Sequence, residues 1–305
     1  MGRYTFLLAL VLSVTPASAR EASTLQRLET ADDSRGWESV GRLNIGSGAY
    51  CTGALIEPDV VLTAAHCLYD TDTGGRIGNG QITFLAGWRG GRALATRGVS
   101  ASAVHPDFNF NSGDKIVRVA KDIALLRLDQ PIKHPKLKPY EIEARPRKGA
   151  EVSVVSYARS RSNTPSLQKA CHVLARQGGI LVMSCDVDQG ASGSPVFLNQ
   201  DGEARIVSVV SAKAEVRERQ VALGTSLETA VATLETLLNS GGDNVQETPS
   251  RTIAATSSTF SPAGSLSNEP DAGDQDLIPT RRVFGSGGRS ENSGSSGAKF
   301  IRPGG

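Results

Sequence analysis

Leu62-Thr63-Ala64-Ala65-His66-Cys67 is the stretch on which the reading of this chain turns. It sets a histidine against a cysteine directly after the apolar run Val60-Val61-Leu62. Further along come Asp122-Ile123-Ala124-Leu125-Leu126 and then Gly190-Ala191-Ser192-Gly193-Ser194-Pro195. A serine hydroxyl is a weak nucleophile at its free pKa and needs a positioned imidazole to take its proton. The imidazole needs a carboxylate that holds its tautomer and stabilises its charged form. Taken alone, Asp122 reads as a solvated strand end and Gly-x-Ser-x-Ser as ordinary loop composition. The Thr-Ala-Ala-His-Cys run is far more specific. The joint order His66, Asp122, Ser192 is informative, because triads on unrelated folds run in other orders.

On these three motifs, the stretch from Trp37 to Asn239 resembles the chymotrypsin/trypsin superfamily of serine peptidases. It is most similar to the compact bacterial secreted branch, where the nucleophile is followed by Gly-Ser-Pro. The resemblance implies an all-β fold: two six-stranded Greek-key barrels with the active site in the cleft between them, then one C-terminal helix. It also implies a secreted serine endopeptidase acting on protein or peptide substrates through an acyl-enzyme. Ser192 would be the nucleophile, His66 the base, Asp122 its partner, and the Gly190 and Ser192 amides the oxyanion hole. No cofactor and no metal is expected, and the protein is expected to be a monomer. Two other functions compete: a protease-like binding module, which usually lacks a triad residue, and an esterase, a side activity natural to an activated serine.

Two departures from the animal-trypsin pattern matter. Ala191 stands where those enzymes carry an aspartate that pairs with a newly freed amino terminus, and no Ile-Val-Gly-Gly segment precedes Trp37. The nucleophile loop must then be ordered some other way, with a Cys171–Cys185 bridge the nearest means. Asp186, six residues before Ser192, has the offset of the carboxylate at the base of the trypsin pocket. Buried there, it would favour Arg or Lys before the cleaved bond through a charge-assisted contact. Alternatively, it only hydrogen-bonds loop amides. Ser211-Ala212-Lys213 aligns with the pocket wall and puts a cation, Lys213, at the rim. Val210 lacks the histidine of glutamate-specific relatives, which argues against simple glutamate preference.

Residues 1–19 read as a signal peptide, with Arg3, the apolar run Phe6 to Val14, and Ala17-Ser18-Ala19 as the cleavage site. Its apolar run is too short to span a bilayer. The mature protein is therefore expected to be secreted or periplasmic, without stable membrane insertion. The formal charge of +2 falls by one on removal of Arg3, which gives no electrostatic case for nucleic acid. The remainder divides into an N-terminal extension (20–36), a peptidase domain (37–240) and a tail (241–305).

Cys51, Cys67, Cys171 and Cys185 are an even set in an exported chain, which suggests disulfides, although three pairings are formally possible. The resemblance implies Cys51–Cys67 and Cys171–Cys185. A zinc site on Cys51, His66 and Cys67 is the rival, and adjacent His-Cys ligands suit tetrahedral geometry poorly.

Short apolar runs such as Val152-Ser153-Val154-Val155 and Ile206 to Val210 alternate with turn signals such as Asn79-Gly80 and Asn199-Gln200-Asp201-Gly202, the text of a barrel or sandwich. Leu137 to Gly149, rich in Pro, Lys and Arg, separates two strand-rich halves. One helix is legible, capped by Ser226, with Leu227, Ala230, Val231, Leu234, Leu237 and Leu238 on one face and Gly241-Gly242 after it. His105 falls in a noncatalytic His-Pro turn, and His134 and His172 read as surface residues. Beyond the helix, Gly, Ser and Pro make up 27 of 65 residues, a composition expected to be disordered. It reads as a passive linker or shed tail, with Arg281-Arg282-Val283-Phe284 and Ala298-Lys299-Phe300-Ile301-Arg302 as alternative docking or self-cleavage segments.

Overall fold

The computed structural model describes residues 22–143, 146–216 and 218–241, and the backbone of 299–300. The signal-peptide reading and all but three residues of the tail reading (Gly241, Lys299 and Phe300) lie outside the described residues.

The first barrel comprises β2 (Val40–Ile45), β3 (Ala49–Glu57), β4 (Val60–Thr63), β5 (Ile82–Ala86), β6 (Ala95–Val104) and β7 (Ala124–Leu128), closed in the order β2-β3-β4-β7-β6-β5. Its core draws on Leu43, Leu55, Leu62, Phe84, Leu125 and Leu126, all fully buried. The second comprises β8 (Glu151–Ser156), β9 (Ser166–Gln177), β10 (Ile180–Met183), β11 (Pro195–Gln200), β12 (Glu203–Val216) and β13 (Arg219–Ser226). It runs β9-β10-β13-β12-β11-β8, and pairing of β8 with β9 closes it. Closure removes the exposed edges of an open sheet, and it needs local bends, which β-bulges supply. Register shifts occur at Leu55/Glu57, Val99/Ala101, Val152/Val154 and Val210/Ala212.

The stretch 20–36, expected as a mere extension, is structured from residue 22 and joins the second barrel. Its strand β1 (Leu25–Arg27) pairs antiparallel with β9, and Leu28 is buried behind it. The closing helix α2 (Ala230–Asn239) begins later than the sequence suggests. Ser226 is the last residue of β13, because its register opposite Ser208 still belongs to the sheet, and Thr229 sits at the N-cap. Ala230, Val231, Leu234 and Leu238 turn inward and pack with the first barrel's core. A second, short helix, α1 (Lys115–Ala120), was not legible; Asp114 caps it by accepting from the Ile116 and Val117 amides.

An aromatic seam joins the halves. Phe197 of β11 lies 5.0 Å from Trp37 and 4.7 Å from Tyr140, ring centre to ring centre, and the Tyr140 hydroxyl donates to Gly36 O at 2.8 Å. His172, expected at the surface, is buried on β9. It follows the bridged Cys171, and its Nε2 faces Glu151 Oε2 at 3.9 Å. No helix among the described residues is long and apolar enough to cross a membrane.

Candidate active site

His66 lies on a 3-10 turn (Ala65–Leu68) that begins two residues after β4 ends. Ala65 and Leu68 are buried on the turn while the imidazole stays 27% exposed. Asp122 follows α1, and its side chain is only 4% exposed. Burying a carboxylate is costly unless its charge is met by donors. Three donors meet it. The His66 amide donates to Oδ1 at 2.8 Å, His66 Nδ1 to Oδ2 at 2.6 Å, and Ser211 Oγ to Oδ2 at 2.5 Å. An ionised carboxylate only accepts, so Nδ1 carries the proton and a neutral His66 presents Nε2 as an acceptor.

Ser211, expected at a pocket wall, is thus also a donor to Asp122. It is the extra residue of the bulge at Val210/Ala212, and bulges beside functional sites re-aim side chains. Its hydroxyl is turned onto Asp122 from the other barrel. Thr225 of β13 adds a second grip across the seam, its Oγ1 donating to Val119 O at 2.7 Å and Asp122 O at 3.1 Å.

The loop that carries Ser192 is held from the opposite direction. Thr52 of β3, fully buried, donates its amide to Ser192 O at 2.8 Å and its hydroxyl to Gly190 O at 2.9 Å. The same hydroxyl accepts from the Tyr157 amide at 3.0 Å. This first-barrel residue orders the loop that lacks an aspartate at Ala191. The Cys171–Cys185 bridge ties the middle of β9 to the segment that follows β10 and leads to that loop. Thr52 gave no signal beyond its place after Cys51. That neighbour matters, because the Cys51–Cys67 bridge ties the Thr52 strand to the turn bearing His66.

Gly190 and Gly193 are the positions where only glycine fits. Both have positive φ, 88° and 78°. A side chain at Gly190 would collide with the Tyr50 ring and Tyr157 O, and one at Gly193 with Thr52 O and Thr63 Oγ1. Gln189 O accepts from the Arg159 amide at 2.6 Å. In a trans peptide the next N–H points the opposite way, so this bond fixes the direction of the Gly190 N–H. Among the described residues, neither the Gly190 nor the Ser192 amide is spent on an internal hydrogen bond. Behind the loop, burial pushes the Tyr50 and Tyr157 phenols up, keeping both neutral.

Ser192 is half-buried. No hydrogen bond joins its Oγ to His66 Nε2 among the described residues, a contact that commonly tightens only around substrate. The expectation of a buried Asp186 is not met. Side chains alternate in and out from Cys185 to Asp188, leaving Asp186 exposed between buried Cys185 and Val187. Among the described residues only its amide is engaged, by Gln168 Oε1 at 2.8 Å. Lys213 is half-buried on β12. The Cys51, His66 and Cys67 ligand atoms lie within 4.8 Å of one another, but the two sulfurs are bonded together and leave no thiolate for a metal.

Comparison with known proteins bears on the family and on the fold. The sequence model of the family described as Trypsin matches residues 29–232. A solved structure of a Glu endopeptidase in complex with MPD superposes with a TM-score of 0.56, covering 72% of this chain and 97% of that one. At 21% identity, that likeness bears on fold alone.

Proposed function

From the premise that the chain belongs to the trypsin family of serine proteases, we propose that it is an endopeptidase using Ser192, His66 and Asp122. The observation that carries the proposal is the buried Asp122, which holds Nδ1–H of His66 and so leaves Nε2 as the nitrogen that can act as a base. Ser192 Oγ attacks the scissile carbonyl while His66 Nε2 takes its proton, and the new oxyanion accepts from the Gly190 and Ser192 amides. His66 then returns the proton to the leaving amine. Water, deprotonated by the same nitrogen, hydrolyses the acyl-enzyme and frees Ser192.

Selection before the cleaved bond is modest in this reading. An exposed carboxylate at Asp186 is screened by water, so it attracts a cationic side chain weakly, and Lys213 opposes it. We therefore assign a slight preference for basic residues. We also place the mature monomer outside the cytoplasm, on the strength of residues 1–19 and the oxidising conditions that two disulfides require.

A fluorophosphonate probe tests the core of the proposal. The wild type should be labelled at Ser192 and Ser192→Ala should not, with peptide turnover falling about 10⁶-fold. A folded wild type that binds peptides without labelling would be a binding module instead.

A further inference from the structure

β12 is longer than its neighbour on one side. Its ladder with β11 ends where Pro195 faces Val209, whereas its ladder with β13 continues to Val216 opposite Arg219. The far edge of residues 211–216 is therefore free of β11. A free strand edge is a template for any extended chain. This edge begins at Ser211, whose hydroxyl rests on Asp122.

One segment already lies on it. Strand β14 (Lys299–Phe300) pairs antiparallel with β12, Lys299 facing Glu215 and Phe300 facing Ala214. The direction of this pairing is informative. From Lys299 to Phe300 the antiparallel strand runs toward Ser211, and Ala214 is only three residues from it, about 10 Å along the strand. Roughly 60 residues separate α2 from β14, enough at about 3.3 Å each to reach this edge from the end of the helix.

We propose that the segment around Lys299-Phe300 is a built-in competitor: it occupies, in cis, the strand edge along which an extended peptide would approach Ser192. This rests on the peptidase reading above. Tethering makes the competition intramolecular, so its strength is set by the linker and not by enzyme concentration. A weak ladder of a few residues is then displaced by good substrates and excludes poor ones. A small ester that engages only Ser192 and the adjacent pocket does not need the edge and is not hindered.

The experiment compares the full chain with Lys299→Pro/Phe300→Pro, which removes both amides that could join the ladder, and with a control, Ser257→Pro/Ser258→Pro. The proline variant at 299–300 should show KM for an extended hexapeptide lowered about three- to tenfold, with kcat unchanged and small-ester turnover unchanged. Hydrogen exchange across residues 211–216 should quicken in that variant only. Equal KM and equal exchange in all three chains would overturn the proposal. So would a wild-type KM that falls on dilution of the enzyme, which would assign the competing strand to a second copy. Absent fluorophosphonate labelling would defeat the peptidase reading instead, and hydrogen exchange would then decide the pairing by itself.

Discussion

Asp122 and Asp186 are two carboxylates that the sequence offers for a site, and they are built in opposite ways. Asp122 is buried and accepts three hydrogen bonds drawn from both barrels. Asp186 stands in solvent, and among the described residues only its amide is engaged. Removing a group that others depend on leaves unpaired partners behind, whereas removing a solvated one leaves only water. The fold thus fixes the Asp122 carboxylate against His66 and leaves that of Asp186 to solvent.

Asp122→Asn is the most severe way to probe this contrast. It keeps the shape but offers a donor where Nδ1–H needs an acceptor, and turnover should fall by about 10⁴. Retention of more than a tenth of the activity would show that the carboxylate is structural. Thr52→Val attacks the opposite grip: it strips the hydroxyl from Gly190 O and the Tyr157 amide, and denaturant unfolding should register a loss of about 2–4 kcal/mol. An unchanged midpoint would mean the nucleophile loop is ordered without Thr52. Ser211→Ala removes one of the three bonds on Asp122, a hydrogen bond to a charged group worth about 1.5–3 kcal/mol. kcat should drop about tenfold or somewhat more, with KM for a small ester unchanged. Asp186→Ser should have the least effect, shifting the ratio of basic to neutral substrates by less than about fivefold. A larger shift would place Asp186 against the bound side chain and erase the contrast with Asp122.

What could be read from the sequence follows from how local each signal is. The His66, Asp122 and Ser192 motifs and the period-two strand runs are contiguous, so the barrels and the candidate triad were legible before any coordinates. Thr52 and Thr225 were not. Their hydroxyls reach partners more than a hundred residues away, and a lone threonine on a buried strand looks like packing. Asp186 shows the converse failure: an offset from Ser192 says nothing of which way the side chain faces, and it is exposed. α1 escaped notice because six residues hold too few turns to show a helical period.

The passage of the backbone between the halves has a consequence for biogenesis. The chain lays down β1 for the second barrel, then the whole first barrel, then the rest of the second, and finally returns through α2 to the first. Neither half is contiguous. During synthesis from the amino terminus, the first barrel leaves the ribosome with the apolar patch destined for Leu234 and Leu238 still bare. It remains so until about a hundred further residues have followed, several seconds at ordinary elongation rates. A cut in the connecting segment would not yield two independent domains. It would yield two fragments that each hold a piece of the other, a natural pair for fragment complementation.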